Sequence, residues 1–173
     1  VRGSVVAFDR YLYDGRDEVA GVGAIEAFGD TAIDGVRLRG KLDRVETTQD
    51  GHLVVIDIKT GQAVTSQKEI DHHPQLQAYQ VALADPEVRE ELGLTGDSGG
   101  AWLVFVSGGV GGKSYRVAEQ AALDAAGVEQ ARERFREVAR SMSQAAFEGP
   151  VHQSMGNKSY SRHRWPRVGS VCG

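Results

Sequence analysis

The chain of 173 residues, 40% hydrophobic and 25% charged, is long enough to bury a core of its own and sits within the usual size range of one domain, so 1–173 reads as a single domain. No long apolar run marks a membrane span and no charged-then-apolar leader marks secretion, and the single cysteine, Cys172, suits a reducing compartment, so no membrane partner and a cytoplasmic location are expected. A net charge of −4 argues against a free-standing, non-specific DNA binder and leaves any attraction to nucleic acid to local groups.

The first 25 residues before Glu26 carry no histidine, and no helix is predicted there. Strands are predicted near 19–29, 36–47 and 52–60. The segment TAIDGVRLRG reads as a hairpin whose Asp34-Gly35 suits a two-residue type I′ turn, so opposed positions add to 69 and Glu26 faces Asp43. GKLDRVETTQDGHLVVIDIKTG follows. If this second hairpin turns through Gln49, Asp50 and Gly51, with Gly51 left-handed in a G1 bulge, opposed positions add to 100 and Asp43 faces Asp57. A two-residue turn would set Arg44 opposite Asp57 and send Asp43 to the other side, because a one-residue slip flips every side chain.

The chemistry selects the three-residue loop. Asp57 and Lys59 share one face of their strand while Ile56 and Ile58 take the other, which separates an active face from a core face. Glu26, Asp43 and Asp57 then form one row across three strands. Carboxylates about 5 Å apart repel by roughly 3 kcal/mol at an effective dielectric near 20, so the row calls for a cation. Two carboxylates for a hard divalent ion and a lysine beside the developing charge are what phosphodiester hydrolysis needs. The competing reading is three solvated hairpin acids.

Farther along, His72-His73 reads as a helix start, since adjacent histidines project differently and have no spaced partner for a transition metal, although either could meet a phosphate there. A helix is predicted from Pro74 toward Ala84, and the spacing of Gln75 and Tyr79 puts both on one face. Tyr79 could also simply pack with Leu76 and Leu83. AWLVFVS is a short apolar strand between two glycine-rich loops, GDSGG and SGGVGGKS. The second loop misses a phosphate-binding P-loop, because Ser107 stands where its first glycine belongs and YRVAEQ alternates like a strand. A helix is predicted over 128–147 with Val128, Ala131, Phe135, Val138 and Met142 on one stripe. The basic tail 156–173 mixes Lys158, Arg162, Arg164 and Arg167 with Tyr160, His163 and Trp165, which suits either phosphates and bases or a solvated terminus.

GKLDRVE, DGHLVVIDIKTG and PQLQAYQVAL, in that order, resemble the G-x-x-D, D-x-K and Q-x-x-x-Y elements of the RecB-like branch of the PD-(D/E)XK nucleases. The resemblance runs over about residues 20–173 and is nearest to the C-terminal nuclease module of UvrD-type bacterial helicase-nucleases. It implies an α/β fold with a mixed sheet flanked by helices around a restriction-endonuclease-like core. It further implies a Mg²⁺- or Mn²⁺-dependent deoxyribonuclease, of exonuclease type, that processes or repairs DNA ends with a helicase. Glu26, Asp43, Asp57 and the Ile58 carbonyl would bind the metal, Lys59 would orient the attacking water, and Gln75 and Tyr79 would touch DNA or support the site.

Two departures from this family are visible. Members usually carry a helix before the first strand with a histidine near the metal, and many hold an iron-sulfur cluster on four cysteines; here Cys172 stands alone, so no cluster is expected in this chain. They keep open a second reading, a non-catalytic nuclease-like module that binds DNA or a helicase.

Overall fold

The computed structural model of the chain describes residues 2–13, 18–33, 35–61, 66–107 and 114–143. Five strands form one mixed sheet in the order β1 (Val19–Ile33), β2 (Val36–Thr48), β3 (Leu53–Lys59), β4 (Ser98–Phe105) and β5 (Arg116–Gln120). The first three pair antiparallel, β3 and β4 run parallel, and β5 returns antiparallel to β4. A parallel pair needs a long crossover. It is supplied here by the helices α2 (Gln67–Asp71), α3 (Pro74–Leu83) and α4 (Pro86–Glu91). This is the α/β architecture expected, a mixed sheet with flanking helices.

Both predicted hairpin registers are present. Val45 pairs with Val55 and Thr47 with Leu53, which leaves Gln49, Asp50 and Gly51 as a three-residue loop closed by the Thr48 amide donating to the His52 carbonyl at 2.8 Å. Gly51 has φ +85°, the left-handed conformation that the bulge demands. Arg44 lies opposite Ile56, not Asp57. In the first hairpin Ile33 pairs with Val36, so the loop holds two residues, of which Asp34 lies outside the described ones.

Both faces of the sheet are covered, so the expected division into an active face and a core face needs correction. Leu53 and Val55 pack under Leu76, Tyr79 and Leu83 of α3, on the same face as Asp57. Val54 and Ile56 pack on the other face against Ala7 and Tyr11. Those two residues belong to α1 (Arg2–Tyr13), a helix that precedes the first strand and corrects the expectation that none would. Its apolar residues Ala7, Phe8, Tyr11 and Leu12 recur at helical spacing and join the cluster that covers this face. A strand buried on both faces reads as a continuous apolar run, as LVVI does.

Three other elements differ from expectation. Strand β4 begins at Ser98, so Gly99 and Gly100 of the predicted loop are strand residues. A Cβ on Gly100 would stand 2.4 Å from the Gln120 carbonyl, and glycine is what allows the neighbouring chain so close. The last helix, α5, runs over Ala125–Ser143, three residues earlier at its start than predicted, and its Ala131 packs with Val81 of α3 and Ile33 of β1. Helix α4 opens with Asp85 as a cap, its Oδ1 accepting from the Glu87 amide at 3.0 Å, and Pro86 in the first turn. YRVAEQ does form a strand, while six residues of SGGVGGKS, 108–113, and the tail from 144, including its cations and Cys172, lie outside the described residues.

Candidate active site

Asp57 and Lys59 sit at the carboxyl end of β3, on the face that α3 covers. Two-residue periodicity puts both side chains there, and the four-residue spacing of Gln75 and Tyr79 in the first turns of α3 brings those side chains down on them. Asp57 is only 3% exposed. Its Oδ1 accepts from Gln75 Nε2 and from the Tyr79 hydroxyl, each at 2.8 Å. Its Oδ2 lies 2.6 Å from Lys59 Nζ.

Gln75 joins the parts. Its Nε2 also donates to the Tyr79 oxygen at 2.5 Å, while its Oε1 accepts from Lys59 Nζ at 2.9 Å, so one amide orients the acid, the phenol and the ammonium together. Burial, reinforced by the hydrogen bond to Asp57, pushes the Tyr79 hydroxyl well above its ordinary pKa and keeps it a donor. Tyr79 also packs with Leu76 and Leu83, so the core role and the site role belong to the same side chain.

Asp43 approaches from β2, where its Oδ2 accepts from the Ile58 amide at 2.9 Å. That bond ties the second acid to the residue between Asp57 and Lys59. Glu26 does not join them. The ladder keeps its register on both sides, Ile25 with Arg44 and Ala27 with Leu42, but Glu26 itself has φ +51°. Its carboxylate points to Lys41, 3.0 Å away, and is 72% exposed. Opposite it, Leu42 and Val45 both enter the α3-side core although an ideal strand would point them to opposite faces, so the alternation of β2 skips at Asp43 and Arg44. The row of three acids is thereby reduced to two, a correction to the register counting.

Among the described residues no three His, Cys, Asp or Glu side chains are gathered as a metal cage. A magnesium-type ion does not require one, because it binds through one or two carboxylates and keeps waters or substrate phosphates as its other ligands. The donor set fits that requirement. Asp57 Oδ2 is buried and makes no aligned hydrogen bond, and the ammonium of Lys59 lies 2.6 Å from it. Asp43 and the Ile58 carbonyl are the other oxygen donors at this corner of the sheet.

His73, read from the sequence as part of a helix start from which either histidine could meet a phosphate, also belongs to this corner. It caps α3 two residues before Gln75, and its ring is held below the ordinary histidine pKa by burial and then by the Lys59 charge, with Asp57 opposing. The pair His72-His73 gave no sign of which ring would turn inward; the distance to Gln75 was the one signal available.

No curated protein matches the chain. A family model described as the PD-(D/E)XK nuclease superfamily matches residues 4–154, a span that takes in all five strands and every residue of the Asp57 cluster. The chain belongs to the PD-(D/E)XK nuclease superfamily.

Proposed function

We propose that this domain is a Mg²⁺- or Mn²⁺-dependent DNA nuclease of the RecB-like branch, hydrolysing phosphodiester bonds with activated water and forming no covalent enzyme intermediate. The observation that carries the reading is the closed set of bonds around Asp57, in which Lys59, Gln75 and Tyr79 converge on one carboxylate beside a second acid, Asp43. Asp43, Asp57 and the Ile58 carbonyl would hold the ion. When bound, such an ion supplies positive charge to the reacting phosphate and lowers the pKa of a water.

The chain's own groups account for the rest. Lys59 carries the cation that stabilises charge on the phosphate oxygens as it develops. Gln75 holds that ammonium with its side-chain carbonyl and holds Asp57 with its amide, so lysine and acid are oriented by one side chain as well as by their own 2.6 Å contact. Tyr79, kept protonated, donates to Asp57 Oδ1 and leaves Oδ2 facing the lysine. A role in DNA end processing or repair, with a helicase and of exonuclease type, rests on the sequence resemblance, and a cytoplasmic location on the single cysteine, which suits a reducing compartment. No helix of the described residues is long and apolar enough to cross a membrane.

A second reading, a non-catalytic module that holds DNA or a helicase, draws on the loss of Glu26 from the acid row. Labelled single- and double-stranded DNA incubated with the chain in Mg²⁺, Mn²⁺ or EDTA separates the two. Cleavage in either metal and none in EDTA is expected; DNA binding without cleavage in any of the three would establish the second reading instead.

A further inference from the structure

His73 occupies a position where its side chain does nothing for the helix it begins. The usual N-cap residues are Ser, Thr, Asp and Asn, whose short side chains accept a hydrogen bond from a first-turn amide. His73 has the extended backbone of a cap, φ −65° and ψ 114°, but makes no side-chain capping bond. Its Nδ1 is buried and bonded to nothing, while the residue as a whole stays partly exposed, so the ring's polar reach lies on its Nε2 edge.

The surroundings decide what that edge offers. Orphaned buried N–H groups are rarer than orphaned acceptors, which puts the lone pair on the buried Nδ1 and the proton on Nε2. Burial, and then the neighbouring ammonium of Lys59, lower the ring's pKa against the opposing charge of Asp57, which favours the neutral form. A neutral N–H donor therefore stands beside a cation at the amino end of a ten-residue helix, whose dipole also favours negative charge. A nitrogen donor beside a cation suits an anion with several oxygens, and at this corner that anion is a backbone phosphate of the substrate.

We infer that His73 is a substrate-positioning residue whose Nε2–H donates to a phosphate oxygen of the bound DNA strand, beside the phosphate that Lys59 serves. The inference rests on the nuclease reading for the identity of the strand. It gives His73 a part in holding DNA and none in holding metal or in the packing of α3.

Three variants of the full chain test it. Glutamine carries an amide N–H at the reach of Nε2, asparagine carries one at the reach of Nδ1, and leucine carries none. Fluorescence anisotropy with labelled single-stranded DNA in Ca²⁺ reads affinity, and Mn²⁺ kinetics read kcat and KM. His73→Leu and His73→Asn are expected to weaken DNA binding and raise KM by ~10-fold, about the worth of one hydrogen bond to a charged group, with kcat little changed. His73→Gln should restore most of the affinity, and calorimetric Mn²⁺ binding should be the same in all. Unaltered affinity in His73→Asn, equal weakness in His73→Gln and His73→Asn, or lost Mn²⁺ binding would each overturn the assignment. If His73→Leu fails to fold, the asparagine and glutamine pair decides alone. Wild-type chain that binds DNA but cleaves none would refute the nuclease reading and leave His73 to be judged on affinity, whereas wild-type chain that binds no DNA would overturn both.

Discussion

Replacing Asp57 by asparagine separates its charge from its packing. The side-chain carbonyl of asparagine can still accept from Gln75 and Tyr79, so the buried donors keep a partner, whereas alanine would leave the buried Tyr79 hydroxyl without its acceptor, at a cost of about 1–3 kcal/mol. Asp57→Asn is therefore expected to leave the thermal midpoint within a few degrees of wild type while lowering DNA cleavage in Mg²⁺ by at least ~10²-fold, the size of effect of losing one preorganised electrostatic group. Steady-state cleavage beside a thermal melt checks it; cleavage at the wild-type rate would remove Asp57 from the chemistry. Lys59→Ala should lose activity by a similar factor yet keep calorimetric Mn²⁺ binding, because the ammonium faces Asp57 Oδ2 without donating an oxygen to any ion. Loss of Mn²⁺ binding in that variant would make the lysine a support of the site's shape. These residues were legible because the spacings of two on a strand and four on a helix fix which side chains share a face. Glu26 was not, since counting register assumes extended backbone at every position and Glu26 has φ +51°. Nothing in AIEAF signals that turn of the backbone.

At the level of elements, the two glycines that the sheet depends on differ in what they allow, and the difference is measurable. Gly51 supplies a positive φ with open space around it, so Gly51→Ala should cost about 1 kcal/mol, the conformational penalty alone. Gly100 combines φ +113° with a backbone oxygen 2.4 Å from where a Cβ would be, so Gly100→Ala must also push β5 away from β4 and should cost clearly more. Urea unfolding of the two variants gives the order directly, and equal costs would mean that β5 yields without resistance. The hairpins were readable because turn chemistry and the two-residue period fix register together. Glycines usually punctuate, so the sequence places the start of β4 too late; only neighbours distant in sequence explain the two inside a strand, His52 and Val54 beside Gly99 and the Gln120 carbonyl beside Gly100. Helix α4 did carry a local signal, Asp85-Pro86-Glu87, that went unread. Helix α1 carried a weaker one, Ala7 and Tyr11 four apart, which gains meaning only against the apolar face of β3 and β4 that it covers.

For the molecule as a whole, a net charge of −4 sets a limit on how DNA can be held. A surface that grips many phosphates releases many counterions, and its affinity collapses with salt; each phosphate neutralised on a single strand contributes about −0.7 to the slope of log K against log salt. The described site offers one cation, Lys59, with the His73 donor and the amino end of α3 beside it, while on the β1–β2 hairpin Lys41 pairs with Glu26 at 3.0 Å and Arg37 with Asp30 at 2.8 Å, an acid that Arg39 shares at 3.9 Å. One phosphate neutralised by Lys59, with the partial positive charge of the α3 amino end at a second, would give a slope of about −0.7 to −1.4, or roughly a threefold to sevenfold loss of affinity between 50 and 200 mM salt. Anisotropy titrations of the full chain with single-stranded DNA in Ca²⁺ at several salt concentrations measure this slope. A value steeper than about −4 would require a larger cationic surface, for which Lys158, Arg162, Arg164 and Arg167 are the available residues, and would shift the hold on DNA from the Asp57 corner to the tail. A shallow slope would instead keep the hold on DNA at the Asp57 corner, with few ionic contacts.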